Sequence, residues 1–180
     1  DQELRGFLKE IDIEEIPQNY KKFYNKYIQK QKIVLNNIKI NNKILHQSRL
    51  LNYFKKNSSI KDINKELNEF LKKIKKDKKY FFSVKDIILV EALKSDGVEV
   101  SEKYKNLYKA LNPQIPEDIE AFINNGDMGS AMLRIVQVIG QDELKDLDPE
   151  TVYFIISTLN MLDIDPLRNE ILLKVLPLKV

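Results

Sequence analysis

The segment SVKDIILVEALKSDG, residues 83–97, decides the fold class of this chain. Ser83 is a residue type that caps helix N-termini, and Gly97 is the type that most often follows a helix C-terminus. Between them most positions are apolar, Ile87 and Ile88 included. The segment therefore predicts a helix that is buried on almost every side and that stops at a glycine.

The rest of the chain shows the same helical spacing. Apolar residues recur at intervals of three and four along nearly all of the 180 residues, and stretches of strict alternation are short. Asp148-Pro149 and Asp165-Pro166, 17 residues apart, each join an N-cap residue to a proline suited to a first turn. The predicted fold class is all-α, an array of about nine short antiparallel helices in an α-solenoid or a compact helical bundle.

Cap residues predict where individual helices begin. We expect a helix over 43–56, another that starts at the caps Ser58 and Ser59 and reaches about residue 76, and another that starts at the cap Ser101 and reaches about residue 111. Two earlier helices are expected over residues 1–10 and from Pro17 onward.

A helix is also expected over residues 128–139. Gly129 and Ser130 are interpreted as its turn and cap residues. The apolar residues at helical spacing are expected to face inward, and they are Ala131, Met132, Ile135 and Val136.

Composition restricts the class of protein. Apolar residues make up 43% and charged residues 32% of the chain, with five Gly and six Pro, which is typical of a globular helical protein. Because there is no Cys, disulfides, thiolate metal sites and cysteine nucleophiles are excluded.

Charge divides the chain into two parts. Up to Ala110 there are 25 basic and 15 acidic residues, a net charge of +10, whereas the remainder has five and twelve, a net charge of −7. The change near Asn112-Pro113 predicts a seam between a basic helical N-terminal part, 1–112, and an acidic helical-repeat C-terminal part, 113–180, within one continuous domain.

Consecutive helices are expected over 129–140, 149–162 and 166–176, with brief turns between them. This succession resembles the architecture of tetratricopeptide-like helical-repeat proteins. The resemblance implies binding of a protein or peptide in a concave groove.

No residue pattern in the sequence forms a recognisable catalytic or cofactor site. His46 is the one histidine, and Ser48 two positions later would face elsewhere on a helix, so a packing or surface histidine is favoured. The acidic run 142–150 lacks the ligand spacing of an EF-hand, and no G-x-G pair exists to hold phosphates. We therefore predict no catalytic residue, no metal and no cofactor.

The most one-sided stretch lies between Glu15 and Asp62, where 46 consecutive residues lack a carboxylate and carry eleven Lys or Arg. Within it, NYKKFYNKYIQKQK (19–32) interleaves aromatic and lysine side chains, which could stack bases and neutralise phosphates. Helical geometry favours another interpretation. The aromatic residues would lie together on one buried side of the helix, and several of the lysines would lie on the opposite, solvated side. The lysine-rich run 72–82 has the same two interpretations, a solvated helix end or a contact for phosphates and anionic lipid headgroups.

From these observations we expect a non-catalytic protein–protein interaction scaffold whose partner surface lies on the basic N-terminal half. An acidic protein would fit that surface, and binding of nucleic acid or another polyanion is the alternative. The charge split is also compatible with head-to-tail self-association. The predicted partner-binding residues are Lys21, Lys22, Lys26, Lys30, Lys32, Arg49, Lys55 and Lys56.

The sequence gives little information on location. No run of about 18 apolar residues predicts a membrane span. We expect a soluble protein of the cytoplasm, or of the periplasm if a signal segment has been removed from before Asp1.

Overall fold

A computed structural model describes residues 40–55, 59–109 and 115–177 of the chain. These residues belong to one compact unit, Lys39–Val180. They form six α-helices and three 3-10 segments and include no strand, so the all-α prediction is confirmed for this part of the chain. The helices are α1 Ile60–Lys76, α2 Val84–Ser95, α3 Glu117–Asn124, α4 Met128–Ile139, α5 Pro149–Met161 and α6 Asp165–Val175, and the 3-10 segments are Leu45–Gln47, Arg49–Lys55 and Glu102–Leu107.

Helix α2 is the central element of the core, as its sequence predicts. Ser83 caps it by accepting a hydrogen bond from the backbone N–H of Asp86, whose carboxylate in turn accepts from the Ser83 N–H. Gly97 follows the helix with a φ of 85°, a conformation that glycine adopts without steric cost. The side chains that fill the core from this helix are Ile87, Ile88, Leu89, Val90, Ala92 and Leu93.

Helix α5 and the 3-10 segment Leu45–Gln47 pack directly against α2. Helix α5 contacts both α2 and α6, and α6 contacts the 3-10 segment Arg49–Lys55. Helix α1 contacts that same segment and the 3-10 segment Glu102–Leu107. The buried residues of α1 are Ile63, Leu67, Leu71 and Ile74, whereas Ile60 at its first position is exposed.

Two segments expected to be α-helical form 3-10 turns instead. Residues 43–56 were expected as one helix, but the chain is extended at Ser48, with φ −75° and ψ 172°. The backbone N–H groups of Gln47 and Ser48 form 3-10 hydrogen bonds to Ile44 and Leu45, and those of Leu45 and His46 donate to side chains from elsewhere in the chain. The helix expected from Ser101 is the 3-10 segment Glu102–Leu107.

Several predicted caps have different roles. Ser59 and Ser101 precede helical segments but make no side-chain capping bond. Asp127 caps α4 in place of Gly129 and Ser130, because its carboxylate accepts from the Ser130 N–H at 3.1 Å. The prediction for Asp148 is confirmed, because its carboxylate accepts from the Thr151 N–H at 2.9 Å. Asp165 lies inside α6, where it binds Arg168.

Other predictions fall on residues outside the described part. These are the helices over 1–10 and from Pro17, the cap Ser58, and the seam at Asn112-Pro113. Among the described residues, no helix has both the length and the apolar character needed to cross a membrane.

Candidate functional site

His46 lies in a buried polar network that joins the first 3-10 segment to α2. Its Nδ1 atom is 2.7 Å from Asp86 Oδ1, and its backbone N–H donates to the same oxygen at 2.9 Å. Asp86 Oδ2 accepts from the Tyr80 hydroxyl at 3.1 Å and from the Ser83 N–H at 3.0 Å. Each carboxylate oxygen of Asp86 therefore accepts two hydrogen bonds.

These contacts set the acidity of Asp86 and Tyr80. Burial alone would raise the pKa of Asp86, but the hydrogen bonds from His46 and Ser83 outweigh burial and hold its pKa below the ordinary value. Burial and the neighbouring Asp86 carboxylate raise the pKa of Tyr80 well above its ordinary value. The network thus pairs an ionised carboxylate with a neutral phenol.

The network has the residue types of a hydrolase triad but not its geometry. Ser83 Oγ lies 3.3 Å from His46 Nδ1, the same ring nitrogen that contacts Asp86. A triad needs the serine and the carboxylate on opposite nitrogens of the imidazole. The other nitrogen of His46 faces the Gln47 side-chain amide at 3.4 Å. This arrangement serves to position α2 and the 3-10 segment, and it presents no activated nucleophile.

Arg168 is a second buried polar centre, one that the sequence did not reveal. Its guanidinium donates to Asp96 at 2.7 Å and to Asn160 at 3.1 Å, and it pairs with Asp165 at 2.8 Å. Burial raises the pKa of Asp96, and the hydrogen bond from Arg168 opposes that rise. These bonds join the ends of α2, α5 and α6.

Two of the solvent-open clefts in the described part are lined by charged side chains. One, of about 740 Å³, is lined by Glu91, Lys94, Glu102 and Lys105 among others, and these four form two ion pairs, Lys94 with Glu91 and Lys105 with Glu102. The other, of about 190 Å³, lies beside Arg49 and α1. Among the described residues, no group of three or more carboxylate or histidine side chains is arranged to hold a metal ion.

The predicted partner-binding residues fall mostly outside the described part. Arg49 and Lys55 are described and exposed, and Arg49 is paired with Glu66 at 3.3 Å. The structure therefore shows Arg49 engaged in a surface ion pair. The residues outside the description are Lys21, Lys22, Lys26, Lys30, Lys32 and Lys56.

A basic surface does occur at the end of α1. Six lysines lie within residues 72–79, all of them exposed, and Asp77 is the only acid among them. Lys75 and Lys103 approach the ring of Tyr104, with their ammonium nitrogens 5.9 and 5.1 Å from its centroid. Phe81 follows this cluster and is 85% exposed.

Helix α4 carries an apolar face that the rest of the described chain leaves uncovered. Eight of its twelve residues are apolar, but only Ala131 and Ile135 are buried. The prediction that Val136 faces inward is wrong, because its side chain is 57% exposed, and Leu133 is 66% exposed. At 100° per residue, Val136 and Leu133 continue the buried stripe around one side of the helix.

The polar strip of α4 is correspondingly narrow. It consists of Ser130, Arg134 and Gln137, spaced by four and three residues. Arg134 pairs with Asp118 of α3 at 3.1 Å and donates to Gln137 at 3.1 Å. The apolar arc therefore covers about 220° of the helix, roughly twice the width of an ordinary surface helix. The helical wheel of 128–139 was the signal that could have revealed this surface.

Comparisons with protein-family models, with curated protein sequences and with solved structures find no match to this chain. The resemblance to helical-repeat proteins therefore stays a prediction.

Proposed function

We propose that this protein is a non-catalytic protein-binding module that receives an apolar helix of a partner protein on the exposed face of α4. The observation that supports this proposal is the pair Leu133 and Val136, two large apolar side chains that lie side by side and face solvent. Contiguous exposed apolar surface bordered by polar residues is typical of interaction sites. The enclosed His46 and the ion-paired cleft offer no competing reactive centre among the described residues.

Complete burial of a leucine or valine side chain is worth about 1.5–3 kcal/mol, and these two side chains retain more than half of their exposure. Covering both would contribute about 2–4 kcal/mol, enough to act as the centre of an interface. Helices α5 and α6, which pack together and are joined by a short turn, support the helical-repeat part of the proposal.

The test compares three forms of the protein as bait in native lysate. The double variant Leu133→Gln/Val136→Gln removes the apolar surface, and Met161→Gln removes an exposed apolar side chain from α5 as a matched control. We expect proteins that the wild type and the Met161→Gln variant retain and the double variant loses. Identical proteins retained by all three would contradict the proposal.

A second candidate function, polyanion binding, is supported by the lysine cluster of 72–79. Phosphate contacts release counterions, so the logarithm of the affinity for RNA should fall steeply with the logarithm of salt concentration. The variant Lys72→Gln/Lys76→Gln/Lys79→Gln should lower that slope by about 0.7 per contacting lysine on single-stranded RNA. Binding that is weak at low salt and unchanged in the variant would remove this candidate.

A further inference from the structure

The surroundings of α4 indicate which kind of helix its face would accept. Residues 116–150 contain nine carboxylates and two basic residues, a net charge of −7. Residues 151–180 contain three acidic and three basic residues. The negative excess of the C-terminal part is therefore concentrated on α3, on Asp127 before α4 and on residues 142–150 after α4, whereas α4 itself carries no acidic residue.

All nine carboxylate residues are exposed, and the basic residues do not neutralise them as a group. Arg134 is paired with Asp118 at 3.1 Å, and Lys145 is paired with Glu143 at 2.8 Å. Each base is thus satisfied by one acid, which leaves seven carboxylates in excess. A partner with the same sign of charge would be repelled from this region.

The acids bracket α4 along the chain. Asp127 precedes the helix, and the hydrogen bonds from the Ser130 side chain and backbone keep its pKa below the ordinary value. Asp142 and Asp146 follow the helix in the next turn. An apolar strip that is about 18 Å long is therefore flanked by negative charge at both ends.

We propose that the exposed face of α4 binds a basic amphipathic helix of a partner protein, with the apolar side of that helix on Leu133 and Val136 and its lysine or arginine side chains toward the surrounding carboxylates. This inference rests on the proposed function and adds the charge of the partner to it. A helix in an apolar groove is recognised through residues spaced by three and four, and opposite charge around the groove gives orientation and a faster association rate.

The experiment uses a synthetic peptide of about 18 residues with leucines on one helical side and lysines elsewhere, which would span roughly 27 Å as a helix. A second peptide has glutamate in place of every lysine, and a third has the lysine peptide's composition in scrambled order. Binding of each labelled peptide to the full chain is measured by fluorescence anisotropy at low and high salt. We expect saturable binding of the lysine peptide alone, weakened by salt.

Variants test the apolar contact and the charge preference separately. Leu133→Gln/Val136→Gln should weaken binding of the lysine peptide at least tenfold, whereas Met161→Gln should leave it unchanged. Asp142→Asn/Asp146→Asn should weaken it about threefold by removing two of the carboxylates.

Each contrary result has a distinct meaning. Equal binding of the glutamate peptide, lost in the Leu133→Gln/Val136→Gln variant, would overturn the charge inference and leave the apolar docking surface in place. Binding that ignores Leu133 and Val136, or no saturable binding of the lysine peptide, would overturn the inference together with the surface. Sedimentation of the protein alone is the final control. A dimer that the double variant abolishes would assign the face to a second copy of the chain and overturn the proposed partner.

Discussion

The substitution Asp86→Asn tests whether the buried carboxylate holds the first 3-10 segment against α2. In the wild type, Oδ1 accepts from the His46 N–H and ring Nδ1, and Oδ2 accepts from Tyr80 and Ser83. Whichever way the amide is placed, an asparagine keeps one acceptor oxygen and turns an NH₂ group toward two groups that donate in the wild type, one of which is a backbone N–H that cannot accept. Two hydrogen bonds to a charged acceptor are lost.

The expected cost follows from that count. Each hydrogen bond to a charged group contributes about 1.5–3 kcal/mol, so the variant should lose about 3–6 kcal/mol of unfolding free energy. That is a large part of the 5–15 kcal/mol typical of a folded domain, roughly a third or more. Urea denaturation followed by far-UV circular dichroism measures the difference, with Asp142→Asn as a control that makes the same chemical change at an exposed position.

The pH dependence of the unfolding free energy is an independent test of the same contacts. Because the folded pKa of Asp86 is lowered, its contribution to stability is fully present above the unfolded pKa of about 3.9 and is lost as the pH falls through the folded value. Asparagine does not titrate, so the gap between wild type and variant should be constant near neutral pH and narrow in acid. A cost no larger than that of Asp142→Asn, or a gap that stays constant into strong acid, would refute the reasoning.

Other substitutions probe the core, the second buried charge and the turn after α2. Arg168→Met should lower the unfolding free energy by about 3–5 kcal/mol because it leaves Asp96 without its cation. Since burial raises the pKa of Asp96, the difference in unfolding free energy from the wild type, measured by urea denaturation, should become smaller as the pH falls toward 4. A difference that grows in acid would contradict this. Leu89→Ala, at a fully buried position of α2, should cost about 2–5 kcal/mol in the same assay, and a loss below 1 kcal/mol would show that α2 is not the core. Gly97→Ala should lower the unfolding free energy by about 1 kcal/mol because of its φ of 85°, while Gly129→Ala, inside α4, should raise it by roughly 0.5 kcal/mol; equal effects would contradict the role of the backbone angle.

Local chemistry explains which predictions succeeded. The cap at Ser83, the glycine stop at Gly97 and the cap at Asp148 each depend on residues within a few positions of one another. Short-range spacing also gave the all-α class of the described part. These features could be predicted because the interacting groups are neighbours in the sequence.

Long-range contacts explain which predictions failed. The segment 43–56 was expected to be one helix, but Leu45 and His46 donate their backbone N–H groups to Tyr80 and Asp86, 35 and 40 residues away. Apolar spacing predicted α4 but not which of its apolar residues are buried. Their burial depends on how far α3 and the other elements extend over the helix. The helical wheel places Val136 in the apolar arc, but only the packing of the other elements decides that its side chain is exposed.

The amino-acid sequence by itself determined the six α-helices of the described part, most of their ends and the charge on either side of Ala110, because caps, periodicity and net charge are properties of neighbouring residues. The tertiary structure alone decided that Asp96 and Arg168, 72 residues apart, form a buried pair, and that one apolar side of α4 remains in solvent. Burial is a property of the assembled chain, since the solvent exposure of a side chain depends on elements distant in sequence.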